Sequence, residues 1–430
     1  MRKTLAALTA GTLAALAGCA VLDAPDAARV ATGITSQLLC GGTFVSGLDT
    51  ERVFVERVMS VPTMTWVNWA LGYQVDPARR EVRATLAGGF ESRAVYREGS
   101  GCLVVRGDET VPAPLMRPPA SGNAMPPQPD IAGADVVAPG SPTLRAALDH
   151  AFADSASPPF HHTHALLVLR DGQLIAERYA PGIGPETPLH GFSATKSVIN
   201  ALLGILVRDG KLRLDQPAPL PAWQAAGDPR HAITVEHLLR QVPGLDFAQN
   251  NSGFDPTARM SFVARDKAAM AEAAQLQVAP GTRWAYTDGN FLLLSRVIRD
   301  AAGGREEDVL QFMQRELFGP VGMRHVSIDV DATGTPMGAA NVYASARDWA
   351  RFGLLYLNDG MAGGRRILPP GWVRTAASQT LDTGHRRAVR APGHRALRRV
   401  GRAGRRHPVH GRGGGRCAGG RQELAWISAP

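Results

Sequence analysis

Ser193 and Lys196 are the two residues of this chain whose types and spacing best suit covalent chemistry. They lie in a seven-residue run, Gly191-Phe192-Ser193-Ala194-Thr195-Lys196-Ser197. A serine hydroxyl is a poor nucleophile until a base takes its proton, and a residue three positions later on a helix lies on the same face. We therefore expect Ser193 to be a nucleophile and Lys196 its base. The alternative is a helix cap followed by a lysine that reaches out to solvent.

The lysine content of the chain favours the catalytic interpretation. The sequence has four lysines and 43 arginines, so arginine serves almost everywhere that a cation is needed. Arginine cannot lose its proton at a working pH, whereas lysine can. A basic catalyst must therefore be one of the few lysines, and Lys196 follows a serine by three positions.

The element expected to carry both residues is a long helix that begins near Ser193 and ends at Asp209-Gly210. Its apolar residues cover most of the circumference, which predicts burial on all sides. They are Val198, Ile199, Leu202, Leu203, Ile205 and Leu206. At the first turn the N–H of Ser193 can serve an oxyanion, and the helix dipole favours the developing negative charge. The apolar surroundings are expected to favour the neutral amine of Lys196.

The segments around this helix predict a mixed α+β domain that starts near Thr143. Asp171-Gly172 separates two apolar runs and predicts a hairpin, because both turn residues accept a positive φ. Ser345 and Asp348 form a capping pattern at the start of a late helix. The helices expected in this region span 144–152, 193–209, 234–241, 290–302 and 345–358.

The chain before this domain divides into two further parts. Residues 29–107 alternate apolar runs with turn signals and predict a small strand-containing unit. The runs include Phe44-Val45-Ser46-Gly47, Arg52-Val53-Phe54-Val55 and Ala94-Val95-Tyr96. Nine prolines between Pro112 and Pro142 then argue against a helix or a central strand. That stretch is expected to be an extended linker over the surface.

A second run of residues brings out a resemblance to a known family. It reads Pro280-Gly281-Thr282-Arg283-Trp284-Ala285-Tyr286-Thr287-Asp288-Gly289-Asn290. With it, residues 143 to about 383 resemble the serine β-lactamase-related family, which includes class C β-lactamases, DD-peptidases, esterases and 6-aminohexanoate-dimer hydrolases. The resemblance implies a β-lactamase/transpeptidase-like fold, an antiparallel sheet with flanking helices. It continues in Ile233-Thr234-Val235-Glu236-His237-Leu238-Leu239, Pro243-Gly244-Leu245, the run 343–353 and Pro369-Pro370-Gly371-Trp372.

The resemblance also assigns roles to Tyr286 and Asp288. In that family the tyrosine of a Tyr-x-Asn or Tyr-x-x motif relays the proton between nucleophile and leaving group, and Tyr286 matches it. The alternative for Tyr286 is a core aromatic residue beside Trp284. Asp288 stands where many members have asparagine. It could pair with Lys196 or cap the next helix, and we favour the cap.

A third family motif, Lys-Thr-Gly or an equivalent with His or Trp, lies on a strand beside the nucleophile and supplies an oxyanion N–H. The only candidate here is Val409-His410-Gly411-Arg412-Gly413, which lacks strand flanks and has the wrong order. Loss of one such donor costs roughly 3 kcal/mol on the barrier. We therefore expect a truncated domain that lacks two central strands and one oxyanion donor, so that its folding and activity are impaired although its catalytic residues are present.

The residues from Gly384 to Pro430 differ in composition from the rest. They hold twelve of the 47 basic residues and one of the 38 acidic residues, so the remaining chain carries a net charge of −2. The tail is either a basic appendage or the product of a shifted reading frame, and we favour the frameshift and expect disorder. A near-neutral body does not indicate a nucleic-acid partner.

The N-terminus indicates export. Arg2 and Lys3 precede a short apolar stretch that ends in Leu16-Ala17-Gly18-Cys19 and resembles the lipobox of bacterial lipoproteins. The resemblance implies lipidation of Cys19 and a periplasmic anchor, with the outer membrane favoured because Ala20 replaces the aspartate of retained lipoproteins. The alternative is an ordinary secretory signal.

Export permits disulfides, so Cys40 and Cys102 are expected to pair, the alternative being two buried thiols. Cys417 has no obvious partner. The histidines, including His161, His162 and His164, lack a helical ligand spacing, so neither metal nor cofactor is implied. The His-Thr-His run is expected to be a surface loop.

These observations predict five segments. They are a lipoprotein signal peptide (1–18), a small N-terminal unit (19–107), a linker (108–142), a serine hydrolase domain (143–383) and the tail (384–430). The expected function is acyl-enzyme hydrolysis of a small amide or ester, nearer to 6-aminohexanoate-dimer hydrolases and esterases than to β-lactamases. The alternative is a non-catalytic relative that binds the cell envelope. The oligomeric state is left open.

Overall fold

The computed structural model describes residues 25–105, 107, 109–112, 130–154, 156–157, 160–250, 252–381 and the backbone of 424–429. Within these residues, no helix combines the length and apolar character needed to cross a bilayer. Cys19 and the 409–413 motif candidate lie outside them.

The N-terminal unit packs one long helix and several short helical turns against a four-stranded antiparallel sheet. Helix α1 spans 25–40. The sheet has the order β1-β2-β3-β4, with β1 Leu71–Asp76, β2 Glu81–Leu86, β3 Gly89–Arg97 and β4 Gly101–Val105. The helical turns between α1 and β1 are Gly41–Val45 (π), α2 Thr50–Val53, Phe54–Val58 (π), α3 Met64–Val67 and Asn68–Ala70 (3₁₀).

Two of the strands predicted in this unit are wrong. Residues 44–45 and 52–55 lie in helical turns and 46–47 lie outside any strand, whereas Ala94-Val95-Tyr96 lies in β3. Asp49 accepts a hydrogen bond from the Arg52 N–H and so caps α2. This cap fixes a helical start for a run whose apolar residues alone are equally compatible with a strand.

A disulfide joins α1 to the sheet. Cys40 at the end of α1 and Cys102 on β4 are bonded, with their Cα atoms 6.1 Å apart, as the sequence predicts. Both cysteines are buried in a cluster that includes Val30, Leu39 and Val53. The bond closes a loop of 62 residues and thereby restricts the unfolded chain.

Residues 130–141 of the linker run along the domain that follows and form neither a helix nor a strand. Its backbone bonds to β6: the Leu174 N–H donates to Ile131 O and the Glu177 N–H to Val137 O. Ile131 is buried in the main core. The segment after residue 130 is therefore attached to the sheet.

The domain that follows the linker contains two three-stranded antiparallel sheets among its helices. One has the order β12-β5-β6 and the other β7-β9-β8. The strands are β5 Ala165–Arg170, β6 Gln173–Tyr179, β7 Pro188–His190, β8 Val326–Ile328, β9 Val342–Ser345 and β12 Leu424–Ala429, with a separate small hairpin of β10 Met361–Ala362 and β11 Arg365–Arg366. Asp171 (φ 51°) and Gly172 (φ 79°) form the predicted β5–β6 turn.

The helices surround a buried central one. They are α4 Pro142–Phe152, α5 Thr195–Arg208, α6 Val235–Leu239, α7 Pro256–Phe262, α8 Lys267–Glu272, α9 Asp288–Ala302, α10 Glu306–Met313, α11 Gly319–Val321, α12 Ala346–Leu357 and α13 Trp372–Ala376. Shorter turns lie at Phe192–Ala194, Pro221–Gln224, Pro229–Ala232 (3₁₀) and Gln314–Phe318 (π). Every residue of α5 from Thr195 to Leu206 is buried, as its all-round apolar pattern predicts.

The end of the chain departs from the expectation of disorder over 384–430. Residues 424–429 form β12, which pairs antiparallel with β5 from Leu424 opposite Arg170 to Ala429 opposite Ala165. The run Leu424-Ala425-Trp426-Ile427 is the one apolar segment of that tail and has residues with high strand propensity. The expectation therefore fails for this strand.

Candidate active site

The backbone before Ser193 is held by a close approach to β9 and α12. β7 ends at His190, and the Gly191 N–H donates to Val342 O at 2.7 Å. A side chain at Gly191 would lie 2.3 Å from the Trp349 ring, so only glycine fits. Phe192 follows in a left-handed conformation (φ 41°), which turns the chain into the 3₁₀ turn that carries Ser193.

Ser193 lies at the mouth of the site, with its side chain between a tyrosine and a lysine. Its Oγ is 2.6 Å from Tyr286 Oη and 3.2 Å from Lys196 Nζ. Ser193 is exposed, whereas Lys196 is fully buried. The structure thus brings together the three side chains predicted as nucleophile, base and proton relay, and leaves the Ser193 residue exposed to solvent.

Three acceptors surround the amine of Lys196. Nζ is 2.5 Å from Asp288 Oδ1, 2.8 Å from the carbonyl oxygen of Ala339 and 3.2 Å from Ser193 Oγ. An ammonium group has three N–H donors and is fully satisfied here. In the neutral amine, two N–H groups remain for Asp288 and Ala339, which can only accept. The lone pair is then left for the hydroxyl proton of Ser193.

The preferred interpretation of Asp288 as a helix cap is wrong. Thr287 is the N-cap of α9, because its side chain accepts from the Gly289 N–H, and Asp288 is the first helical residue. Its carboxylate points at Lys196 instead. A carboxylate in the first turn is favoured by the helix dipole, so the position suits the pairing that the sequence analysis ranked second.

Gln249 is a residue of the site that the sequence analysis missed. Its Oε1 accepts from the Asp288 N–H at 2.7 Å, and its Nε2 lies 3.3 Å from Asp288 Oδ2. It lies in an irregular segment with no periodic pattern, so no sequence signal marks it. Gln249 fixes the carboxylate that holds Lys196.

The carbonyl of Ala339 was missed as well. It belongs to the segment 329–341, which connects β8 to β9. A side chain at Gly338 would lie 2.2 Å from Ser295 Oγ and 2.4 Å from the Ile199 side chain. Glycine at 338 therefore lets this segment pack onto α5 and α9 closely enough for Ala339 O to reach Lys196.

The N–H of Ser193 is placed where the sequence analysis expects an oxyanion donor. The first hydrogen bond of the 3₁₀ turn is from the Ala194 N–H to Gly191 O, so the Ser193 N–H precedes the bonded part of the turn. Such groups at a helix start are available to an anion.

His164 differs from the predicted surface loop, since its side chain is only 1% exposed. Arg57 Nη2 lies 2.9 Å from Nδ1, and Nε2 lies 2.7 Å from Glu56 Oε2. Arginine can only donate, so Nδ1 accepts and the ring proton is on Nε2. Burial, together with the Arg57 charge, lowers the pKa of His164 to about 4.

Arg57 also connects the N-terminal unit to the nucleophile turn. Its guanidinium carbon lies 5.5 Å from the centre of the Phe192 ring, a cation–π contact one residue before Ser193.

Within the described residues, no group of three or more His, Cys, Asp or Glu side chains could hold a metal ion.

Sequence comparison matches this arrangement to a known family. A sequence model described as Beta-lactamase matches residues 161–419, which is more than half of the chain. The match extends past residue 383, where the sequence analysis ends the domain. A 6-aminohexanoate-dimer hydrolase of Paenarthrobacter ureafaciens is 27% identical over 226 residues, covering 50% of this chain and 56% of that protein. The chain thus matches about half the length of this relative.

The solved structures to which the chain is similar include two bacterial proteins. A penicillin-binding protein homologue from Caulobacter crescentus is 19% identical, with a TM-score of 0.44, covering 59% of this chain and 78% of that one. A D-amino acid amidase from Ochrobactrum anthropi is 18% identical, with a TM-score of 0.37, covering 50% of this chain and 68% of that one.

Proposed function

This chain belongs to the beta-lactamase family, and from that premise we propose that it is a serine hydrolase that forms an acyl-enzyme on a small amide or ester. The observation that supports the proposal is the position of Ser193 Oγ, 2.6 Å from Tyr286 Oη and 3.2 Å from Lys196 Nζ. A hydroxyl with two proton-accepting groups at this distance is an activated nucleophile.

The proposed reaction begins with attack of Ser193 Oγ on the substrate carbonyl carbon. The hydroxyl proton passes to Lys196 Nζ, directly or through Tyr286 Oη, and the carbonyl oxygen becomes an oxyanion facing the Ser193 N–H. The C–N or C–O bond then breaks, and the leaving amine or alcohol takes a proton from Tyr286, which in turn recovers the proton held by Lys196. Water hydrolyses the resulting ester by the reverse proton route and frees Ser193.

Asp288 and Ala339 are proposed to orient Lys196 during this cycle. Both contact Nζ, and neither can donate a proton to it while Asp288 is ionised. When Lys196 holds the proton, the carboxylate stabilises the charge; when it does not, the two acceptors direct the lone pair at Ser193.

We favour an open-chain amide or ester over a β-lactam as the substrate. Asp288 occupies a position where β-lactamases are expected to have asparagine, and the 409–413 candidate is a poor match to Lys-Thr-Gly. The curated relative named 6-aminohexanoate-dimer hydrolase supports the same choice.

A fluorophosphonate probe tests the proposed nucleophile. The full-length protein is expected to be labelled on Ser193, and Ser193→Ala is expected to abolish labelling. Ser60→Ala, an exposed serine of the N-terminal unit, is the matched control and should label normally. Labelling that persists in Ser193→Ala contradicts the proposal. A folded wild type that is not labelled favours the non-catalytic, envelope-binding alternative.

A second comparison tests the base and the substrate class. Lys196→Arg is expected to lose labelling, whereas Lys211→Arg, at an exposed lysine after α5, keeps it.

The rate of hydrolysis of linear amides and p-nitrophenyl esters is expected to exceed that of nitrocefin. Faster turnover of nitrocefin than of any open-chain substrate would contradict the preference stated above.

We further propose that the protein is an exported lipoprotein anchored through Cys19, with the hydrolase on the periplasmic side of the outer membrane. The Leu16-Ala17-Gly18-Cys19 run supports this proposal. Metabolic labelling with palmitate should mark the wild type and not Cys19→Ala. Labelling of both would contradict it.

A further inference from the structure

We propose that Asp329 is a positioning residue for Lys196, and that through it the N-terminal unit completes the active site. Asp329 lies just after β8 and has no solvent-exposed surface. The inference rests on the proposed function, since it assigns a role in holding the proposed base. It starts from the contacts of the Asp329 carboxylate.

Three donors bind this carboxylate, and two of them come from the N-terminal unit. The Cys102 N–H on β4 donates to Oδ1 at 2.8 Å, and Gln37 Nε2 on α1 donates to Oδ2 at 2.8 Å. Asn341 Nδ2 donates to Oδ2 at 2.8 Å from the far end of the same segment. Asp329 is therefore the point at which α1, β4 and the 329–341 segment meet.

The sequence of the N-terminal unit is adapted to this contact. Gly101 has a φ of +65°, and a side chain there would lie 2.1 Å from Asp329 Oδ1. Glycine lets the Cys102 N–H reach the carboxylate. The disulfide between Cys40 and Cys102 ties the end of α1 to the same strand. Gln37, which lies one turn before Cys40, is thereby held beside Cys102.

The 329–341 segment connects Asp329 to Lys196 through backbone hydrogen bonds. The Met337 N–H donates to Asp329 O, and the Asp329 N–H donates to Asn341 O, so both ends of the run 337–341 bond to Asp329. Ala339 lies in the middle of this run, and its carbonyl accepts from Lys196 Nζ at 2.8 Å. Fixing residues 337 and 341 therefore fixes the carbonyl.

The chemical consequence concerns the direction of the lysine lone pair. With a hydrogen bond to Asp288 alone, the neutral amine of Lys196 can rotate about that one contact. With hydrogen bonds to both Asp288 and Ala339 O, its lone pair can point only at Ser193. Loosening of the 337–341 run is expected to release one of these two constraints. The expected effect is on the rate of acylation and on the protonation of Lys196.

The test uses the full-length protein carrying ¹³Cε-labelled lysine, which gives few signals because the chain has four lysines. Lys196→Arg assigns the Lys196 signal. We expect Asp329→Asn to shift the pH midpoint of that signal and to lower the maximal rate of fluorophosphonate labelling at least tenfold. The probe concentration for half-maximal rate should change less than threefold.

Asp331→Asn is the matched control, because Asp331 is also buried in this segment but binds Thr333, Thr335 and the Lys267 N–H. The Asp331→Asn variant should leave the pH midpoint of the Lys196 signal unchanged, even if its thermal stability falls as much as that of Asp329→Asn. An unchanged Lys196 midpoint in folded Asp329→Asn overturns the proposal.

If Asp329→Asn does not fold, Gln37→Met removes one donor only and should shift the Lys196 signal in the same direction; an unshifted signal overturns the proposal. The lysine signal does not require turnover. A protein that never labels on Ser193 would therefore contradict the proposed function, while the lysine measurement would still decide the role of Asp329.

Discussion

Lys196 Nζ and Asp288 Oδ1 lie 2.5 Å apart, and this ion pair joins the first turns of two buried helices, α5 and α9. The positive ends of both helix dipoles therefore meet at the site. Both dipoles stabilise the carboxylate of Asp288. That carboxylate contacts Nζ of Lys196, a side chain with no solvent-exposed surface.

Replacing Asp288 by asparagine is expected to lower the labelling rate at neutral pH about tenfold. The amide has no charge to pair with Lys196 Nζ, so the amine is held less firmly toward Ser193. The rate of fluorophosphonate labelling measures this effect. Asp300→Asn, at the opposite end of α9, serves as the control. An unchanged rate in Asp288→Asn would show that Asp288 does not position the base.

Tyr286→Phe is expected to lower the labelling rate by a factor on the order of 10²–10⁴, because it removes the proton relay next to Ser193. The ring that lies beside Trp284 is kept, so the thermal midpoint should stay close to that of the wild type. Tyr73→Phe removes a hydroxyl that also makes a 2.6 Å hydrogen bond, to Glu51, and should label normally. Equal rates for the two variants would exclude the relay.

His164 is expected to make the protein sensitive to acid. Its pKa is about 4 in the folded chain and 6.5 ordinarily, so the unfolded chain takes up a proton first as the pH falls. The stabilisation is fully present above pH 6.5 and is lost toward pH 4, by up to about 3 kcal/mol for this group.

Urea unfolding at neutral pH and near pH 4.5 checks this expectation. His164→Gln keeps a donor for Glu56 but does not titrate, so its free energy of unfolding should depend less on pH than that of the wild type. His150→Gln, on the exposed face of α4, should behave like the wild type. A wild type and His164→Gln with parallel pH dependence would rule out this histidine as the cause.

Alanine substitutions at Gly101 and Gly88, two glycines with a positive φ, distinguish the cost of backbone strain from the cost of a steric clash. Gly101→Ala meets Asp329 Oδ1 at 2.1 Å, whereas Gly88→Ala, at φ +73°, meets nothing within 4 Å. Gly88→Ala should cost about 1–2 kcal/mol of unfolding free energy. Gly101→Ala should cost roughly a further 1–3 kcal/mol, since the carboxylate must move. Equal losses in the two variants would show that the contact to Asp329 is not tight.

Short-range patterns predicted much of the fold. Asp171-Gly172 predicted its hairpin, Ser345 capped α12 by accepting from the Asp348 N–H, and the all-round apolar run predicted the buried α5. Each depends on residues within a few positions of one another. The strand predictions for residues 44–47 and 52–55 failed, because short apolar runs fit a strand and a helical turn equally well.

The sequence by itself determined the pairing of Ser193 with Lys196, the proposed nucleophile and base, because helical geometry brings residues 193 and 196 to one face whatever surrounds them. Only the tertiary structure decided the rest of the site. In the folded chain Asp288 pairs with Lys196, 92 positions away, and does not act as the cap. Gln249 and the carbonyl of Ala339, both in irregular segments, also contact this pair. The tertiary structure also connected Gln37 to Asp329 across 292 positions. Such contacts depend on how the core packs, which no local spacing specifies.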